Sequence, residues 1–246
     1  MKKYLTIIGL LLRNEIRNRE AILFSLLLPV IILVLIGQSD ESQVQYVYAG
    51  VVCIAFGSIA LIGVASQITN LRENGILKRV KLTEFALNKF ILCIYLSQVI
   101  FMLGQLVVIT LIAKFLYNLK FKIDQQFVAG LALQVFLAML AFISIGILIA
   151  NFAKNTRVAS TIGNTVMVTM LFVGNTLFPA NSWPKEVKQV VKYFPMNNLG
   201  DALRRTVIYN TQNMHHFIFQ TTCLVACLLV IGGLGQYLLN KKVVTN

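Results

Sequence analysis

Charge is missing from most of this chain, and it is missing in blocks. Six stretches hold no Asp, Glu, Lys or Arg: 21–39, 42–71, 90–113, 125–153, 158–184 and 206–240, together 164 of 246 residues. A helix needs about 20 mostly apolar residues to cross a bilayer, whose hydrocarbon core offers an open backbone no hydrogen-bond partner. Every stretch reaches or nearly reaches that length. With 57% hydrophobic and 13% charged residues, an ordinary soluble domain and a disordered chain are both excluded. The expected fold is all-α and integral to the membrane, a single transmembrane domain over 1–246. Its six transmembrane helices are expected at 21–37, 47–69, 91–116, 127–150, 158–177 and 217–239. Cys53, Cys93, Cys223 and Cys227 all lie inside the charge-free stretches and read as small packing residues, not as a disulfide framework or a metal set.

The first stretch does not read as a signal peptide. Some twenty residues precede it, among them Arg13, Glu15, Arg17, Arg19 and Glu20, and no small-residue cleavage site follows Gly37. Basic residues cluster on alternate sides of the spans. One side carries Lys2, Lys3, Arg13, Arg17 and Arg19, then Arg72, Lys78, Arg79, Lys81 and Lys89, then Lys154 and Arg157, then Lys241 and Lys242. The loop after the first span has no basic residue, so both termini are expected in the cytoplasm. The net charge of +13 is then a topology signal, and no nucleic-acid partner is expected.

Residues 1–20 read as an amphipathic helix lying in the membrane interface. Tyr4, Leu5, Ile8, Leu12 and Ile16 form its apolar stripe, and a charged patch with Arg13, Glu15 and Arg17 follows. Pro29 falls inside the first span, where it removes a donor, and a neighbouring helix must then satisfy the freed carbonyl. No Asp or Glu lies within any expected span, whereas ion-coupled transporters usually keep such a group for coupling. Helix two carries Gly50, Cys53, Gly57 and Ala60, small enough for close helix approach. Helix five carries Thr161, Asn164, Thr165 and Asn175 at helical spacing, a stripe that either lines a pathway or cross-links helices. His215 and His216 read as interfacial residues, not as ligands.

Two segments look more than structural. In 70–90, Arg72-Glu73-Asn74-Gly75 precedes a short amphipathic helix with Ile76, Leu77 and Val80 on one side and Lys78, Arg79 and Lys81 on the other. Such a helix either docks in a groove on a partner protein or anchors on lipid head groups. In 178–216, Pro179, Pro184 and Pro195 divide the chain into what should be two short helices, partly re-entrant, on the outer side; the alternative is a plain amphipathic loop. Asn198 and Asp201 have the spacing of an N-cap and its N3 partner.

The string Arg72-Glu73-Asn74-Gly75-Ile76-Leu77-Lys78-Arg79 resembles the intracellular segment of ABC-2-type transporter permeases. The opening amphipathic helix, which that family calls an elbow, adds to the likeness. Pro195 and Met196 followed by Arg204 match a second family pattern, of a proline, an apolar residue and a basic residue nine positions after the proline. Lys81-Leu82-Thr83-Glu84 departs from it where many members carry a proline, and Asn198 differs from the residues usual at its place. The resemblance covers essentially the whole chain. It implies an ABC-2 or type V exporter-like fold, with 72–79 as the coupling helix on an ABC ATPase subunit and Pro195, Met196 and Arg204 at an outer gate. It also implies a second permease copy or a related permease, a bacterial cell-membrane location, and membrane lipid as surroundings. The implied cargo is amphipathic or hydrophobic: a drug, an antimicrobial peptide or a lipid-like molecule. Motion should pass from the coupling helix to helices two and three. No Gly-x-x-x-x-Gly-Lys-Ser/Thr string occurs, so no ATP site is expected on this chain; ATP and Mg would sit on the partner. Two rival readings are an ion-coupled secondary transporter or channel, and a membrane enzyme. The missing intramembrane carboxylates count against the first and the missing catalytic cluster against the second.

Overall fold

Backbone in hydrocarbon must close its own hydrogen bonds, and a computed structural model shows only helical elements among its described residues. It describes residues 2–17, 23–36, 41–83, 86–117, 125–174, 184–208 and 211–245. We number the helices α1 (Lys2–Arg17), α2 (Leu28–Ile36), α3 (Glu41–Gly57), α4 (Ala65–Glu73), α5 (Ile76–Leu82), α6 (Leu87–Tyr117), α7 (Gln125–Phe152), α8 (Thr156–Val173), α9 (Lys185–Val191), α10 (Pro195–Leu203), α11 (Met214–Cys227) and α12 (Gly233–Thr245). Wider π-helical turns precede α2 at Leu23–Leu27, join α3 to α4 at Ser58–Val64, follow α10 at Arg204–Ile208 and join α11 to α12 at Leu228–Gly232.

Among the described residues, four helical runs are long and apolar enough to cross a membrane: Val44–Glu73, Leu87–Tyr117, Val128–Phe152 and Met214–Lys241. Ser25–Leu35 is a shorter apolar helix, and α8 has 18 residues. Two of them outrun their charge-free stretches: the 41–73 rod, and α6, which starts at Leu87, ahead of the expected 91. Hydropathy marks the part of a helix that lies in lipid, while the hydrogen-bond ladder continues past it.

The 41–73 rod occupies the middle. Its apolar window is 89% buried, against 17% for Met214–Lys241, which therefore stands at the rim. Small residues permit this. Gly146 of α7 and Gly163 of α8 both lie against the Ser58–Val64 turn. A Cβ built on Gly146 would sit 2.1 Å from the Ala60 oxygen, and one on Gly163 would sit 2.1 Å from the Leu61 oxygen. Only glycine allows backbones so close.

Pro29 behaves as its chemistry requires. It has no N–H to offer the carbonyl four residues back, which belongs to Ser25. Gln105 of α6 supplies the donor instead, with Nε2 2.5 Å from the Ser25 oxygen. The break falls where the Leu23–Leu27 turn gives way to α2.

One local expectation is corrected. Asn198 does not cap a helix, because α10 already starts at Pro195 after the extended residue Phe194. Proline at N1 presets the helical φ and loses nothing by lacking N–H; Asn198 Nδ2 instead donates back to the Phe194 oxygen at 3.1 Å. In α1 the apolar residues divide between the protein core and the outer surface. Leu11 is buried and Tyr4, Ile7 and Ile8 pack on the core, while Leu5 (67%) and Ile16 (60%) are exposed.

Candidate functional site

At the Glu73 end of the central rod, Asn74 N donates to Asn70 O and Gly75 N to Arg72 O, both at 3.0 Å, so α4 closes on its own carbonyls. Gly75 has φ +68°, left-handed backbone that a Cβ would disfavour. The chain reverses there and α5 begins. Leu77 is buried, and Val80 packs partly on the core. Lys78, Arg79, Lys81 and Leu82 are exposed, Leu82 at 88%. Ile76 is half-buried. The helix therefore has one face fixed to the bundle and one basic face, with a single large apolar side chain, turned outward.

Arg72 and Glu73 do not share that outward face. Arg72 Nη1 and Nη2 donate to the Ala150 and Ala153 oxygens, at 3.0 and 2.5 Å. Those carbonyls end α7. Glu73 Oε2 accepts from Thr156 N at 3.2 Å and from the Thr156 hydroxyl. Thr156 begins α8, whose cap Asn155 accepts from Val158 N at 2.8 Å. A helix C-terminus carries partial negative charge and an N-terminus partial positive charge. Two adjacent residues of opposite sign thus close two successive helix ends of opposite polarity, each contact worth about 0.3–1 kcal/mol at an exposed site. One helical turn or two above, Ser66 and Ser160 hydroxyls lie 3.3 Å apart and join the same two helices.

The elbow meets the bundle beside this point. Arg13 and Arg17 are exposed, but Glu15 is buried. Gln98 Nε2 of α6 donates to Glu15 Oε1 at 3.1 Å and to Gln67 Oε1 at 3.2 Å, so one amide ties α1, α4 and α6 together. Burial raises the Glu15 carboxyl above its ordinary range, and the Gln98 hydrogen bond offsets this only in part. This junction was not anticipated. Its signal in the sequence was Gln98 and Gln105, seven residues apart inside a charge-free stretch and so on one helix face.

At the other end α10 is wedged among α3, α7 and α11. Pro195, Met196 and Arg204 are all buried. Arg204 lies over the Tyr46 ring, 3.9 Å from its centroid, with Nε 3.4 Å from the Tyr46 oxygen and Nη1 3.5 Å from Asp201 Oδ1. Burial raises the Asp201 carboxyl, and Arg204 pulls it partly back. The Cys53 thiol donates to the Met196 oxygen at 3.5 Å, fixing α10 to the central rod.

On α8 the structure separates two faces. Ala159, Gly163 and Met167 are buried; Thr161, Asn164, Thr165 and Thr169 are exposed. The hydroxyls of Thr161, Thr165 and Thr169 donate to carbonyls four residues back, at 2.8–3.0 Å, within their own helix. Asn175 and Pro179 lie outside the described residues, as do residues 18–20 of the charged patch. Among the described residues no three His, Cys, Asp or Glu side chains come together to hold a metal ion.

Residues 4–208 match the family model described as ABC-2 type transporter. The chain belongs to that family. This ABC-2 permease is a multi-pass membrane transport protein, and the match runs from the elbow through α10 to the end of the Arg204–Ile208 turn. No curated protein matches the sequence.

Proposed function

We propose that the chain is the permease subunit of an ATP-driven exporter, with ATP and Mg held by a separate ABC ATPase subunit. One observation carries this reading: α5 is fixed to the bundle by Leu77 and presents Lys78, Arg79, Lys81 and Leu82 outward. A short amphipathic helix held this way suits a groove on a soluble partner. In this reading the chain crosses a bacterial cell membrane six times, α2 and α8 included, with both termini in the cytoplasm. The exposed Thr161, Asn164 and Thr165 favour a path wall over helix cross-linking, because the Thr161 and Thr165 hydroxyls bond back to carbonyls of their own helix. An amide facing lipid is costly, so a second permease copy, or a related one, would enclose that face. Pro195, Met196 and Arg204 form the outer gate. The cargo is amphipathic or hydrophobic, since the path wall offers hydroxyls and amides without charge.

The test is co-purification with an ABC ATPase from the same genome, followed by reconstitution. The paired substitutions Leu82→Asp and Arg79→Glu should weaken ATPase capture by about tenfold or more, since anchor residues of an interface are each worth 2 kcal/mol or more. Ion-gradient-driven flux through the chain alone, with no ATPase present, overturns the reading in favour of a secondary transporter or channel.

A further inference from the structure

We propose that Arg72 and Glu73 are positioning residues that weld the coupling helix to the turn between α7 and α8, so that the stroke of the ATPase subunit is delivered to α8. The inference rests on the exporter reading above. Arg72, half-buried, and Glu73, exposed, each hold another helix end of the chain. Arg72 spends its guanidinium on the Ala150 and Ala153 oxygens at the end of α7. Glu73 spends one carboxylate oxygen on the backbone and side chain of Thr156 at the start of α8. Three further contacts leave α8 little freedom to lag behind α4. Ser66 and Ser160 are bonded, Gly163 lies against the Leu61 carbonyl, and Gly57 has Met167 within 3.8 Å of where its Cβ would be. A displacement of α5 must therefore move the cytoplasmic end of α8, whose exposed face carries Thr161, Asn164 and Thr165. The sequence suggested helices two and three as the recipients; the side-chain contacts point to helix five.

The full chain, assembled with its ATPase subunit in lipid vesicles, tests this without knowledge of the cargo. Thr165→Cys gives a reporter whose labelling rate by a charged methanethiosulfonate is read with and without ATP plus vanadate. With Arg72 and Glu73 intact the rate should change on nucleotide trapping. Glu73→Ala should shrink that change about two- to fivefold, the size expected for a lost contact of an exposed carboxylate at a helix N-terminus, while the ATPase subunit still co-purifies. Glu73→Gln, which keeps an acceptor oxygen, should restore most of it. Thr156→Val removes the hydroxyl from the opposite side of the contact, cannot touch the docking face, and should act in the same direction by a smaller factor. An unchanged response in Glu73→Ala and Thr156→Val overturns the inference and leaves the exporter reading standing. Loss of ATPase capture in Glu73→Ala, with normal capture in Thr156→Val, also overturns it and moves Glu73 to the docking face. Failure of the unmodified chain to capture any ATPase overturns both.

Discussion

Gly75 shows how much a single position can decide. Its left-handed φ of +68° turns α4 into α5, and nothing lies within 4 Å of where its Cβ would be. The barrier to substitution is therefore backbone strain alone. Gly75→Ala should cost about 1 kcal/mol or slightly more, and Gly75→Asn less, since Asn tolerates this region better. Thermal unfolding of the two purified variants checks the order. An Asn variant that unfolds below the Ala variant contradicts the strain account. The turn was legible in the string Arg72-Glu73-Asn74-Gly75. The work of its first two residues was not, because their partners stand 78 to 83 positions away and side-chain direction is set by packing.

Among the elements, the elbow gave up least to sequence reading. Its periodicity predicted a helix, and a helix runs from Lys2 to Arg17. Which of its apolar residues face protein is not readable from the sequence, because Leu5, Leu10 and Leu12 are equally apolar, and an interface helix has lipid on one side and protein on the other. Glu15 belongs to the charged patch with Arg13 and Arg17, yet it is buried on Gln98 while they are exposed. That burial has a pH consequence. A carboxyl whose pKa is raised by folding binds its proton more tightly in the folded chain than in the unfolded one. Stability therefore falls as pH climbs from the ordinary value near 4.5 to the raised folded value, and levels off above it. Glu15→Gln should flatten that slope and be at least as stable at neutral pH, because the amide oxygen still accepts from Gln98. Melting temperatures of both proteins across a mildly acidic series measure it, and parallel curves exclude the burial account. Pro29 was the opposite case. Its missing donor was readable from sequence alone, and the Gln105 bond to Ser25 is the answer that chemistry demanded.

For the molecule as a whole, blocks without charge located the helices, because the bilayer requirement acts on long windows and averages over single residues. Which helix stands in the middle was not readable: the hydropathy of Val44–Glu73 (2.3) is nearly that of the rim helix Met214–Lys241 (2.2). Burial order was decided by glycine contacts that join distant parts of the chain. Gly146→Ala and Gly163→Ala should each cost about 1–3 kcal/mol or more, since a Cβ would have to push backbone aside. Gly104→Ala, on α6 with nothing within 4 Å, should cost nothing. Unfolding in detergent would compare the three, and equal losses would mean that the central rod is not held by close approach.

The Ser58–Val64 turn bears on how such a protein can vary. A π turn arises when one extra residue is inserted into an α-helix and its bulge is absorbed locally, leaving the flanking segments in phase. Removing a residue elsewhere in the 41–73 rod would rotate everything beyond it by about a third of a revolution and swing the Arg-Glu pair away from its partners. Within 58–64 the same deletion would relax the wide turn to ordinary pitch and leave the Arg72–Glu73 end facing as before. Length variation in this rod should therefore be confined to that one turn.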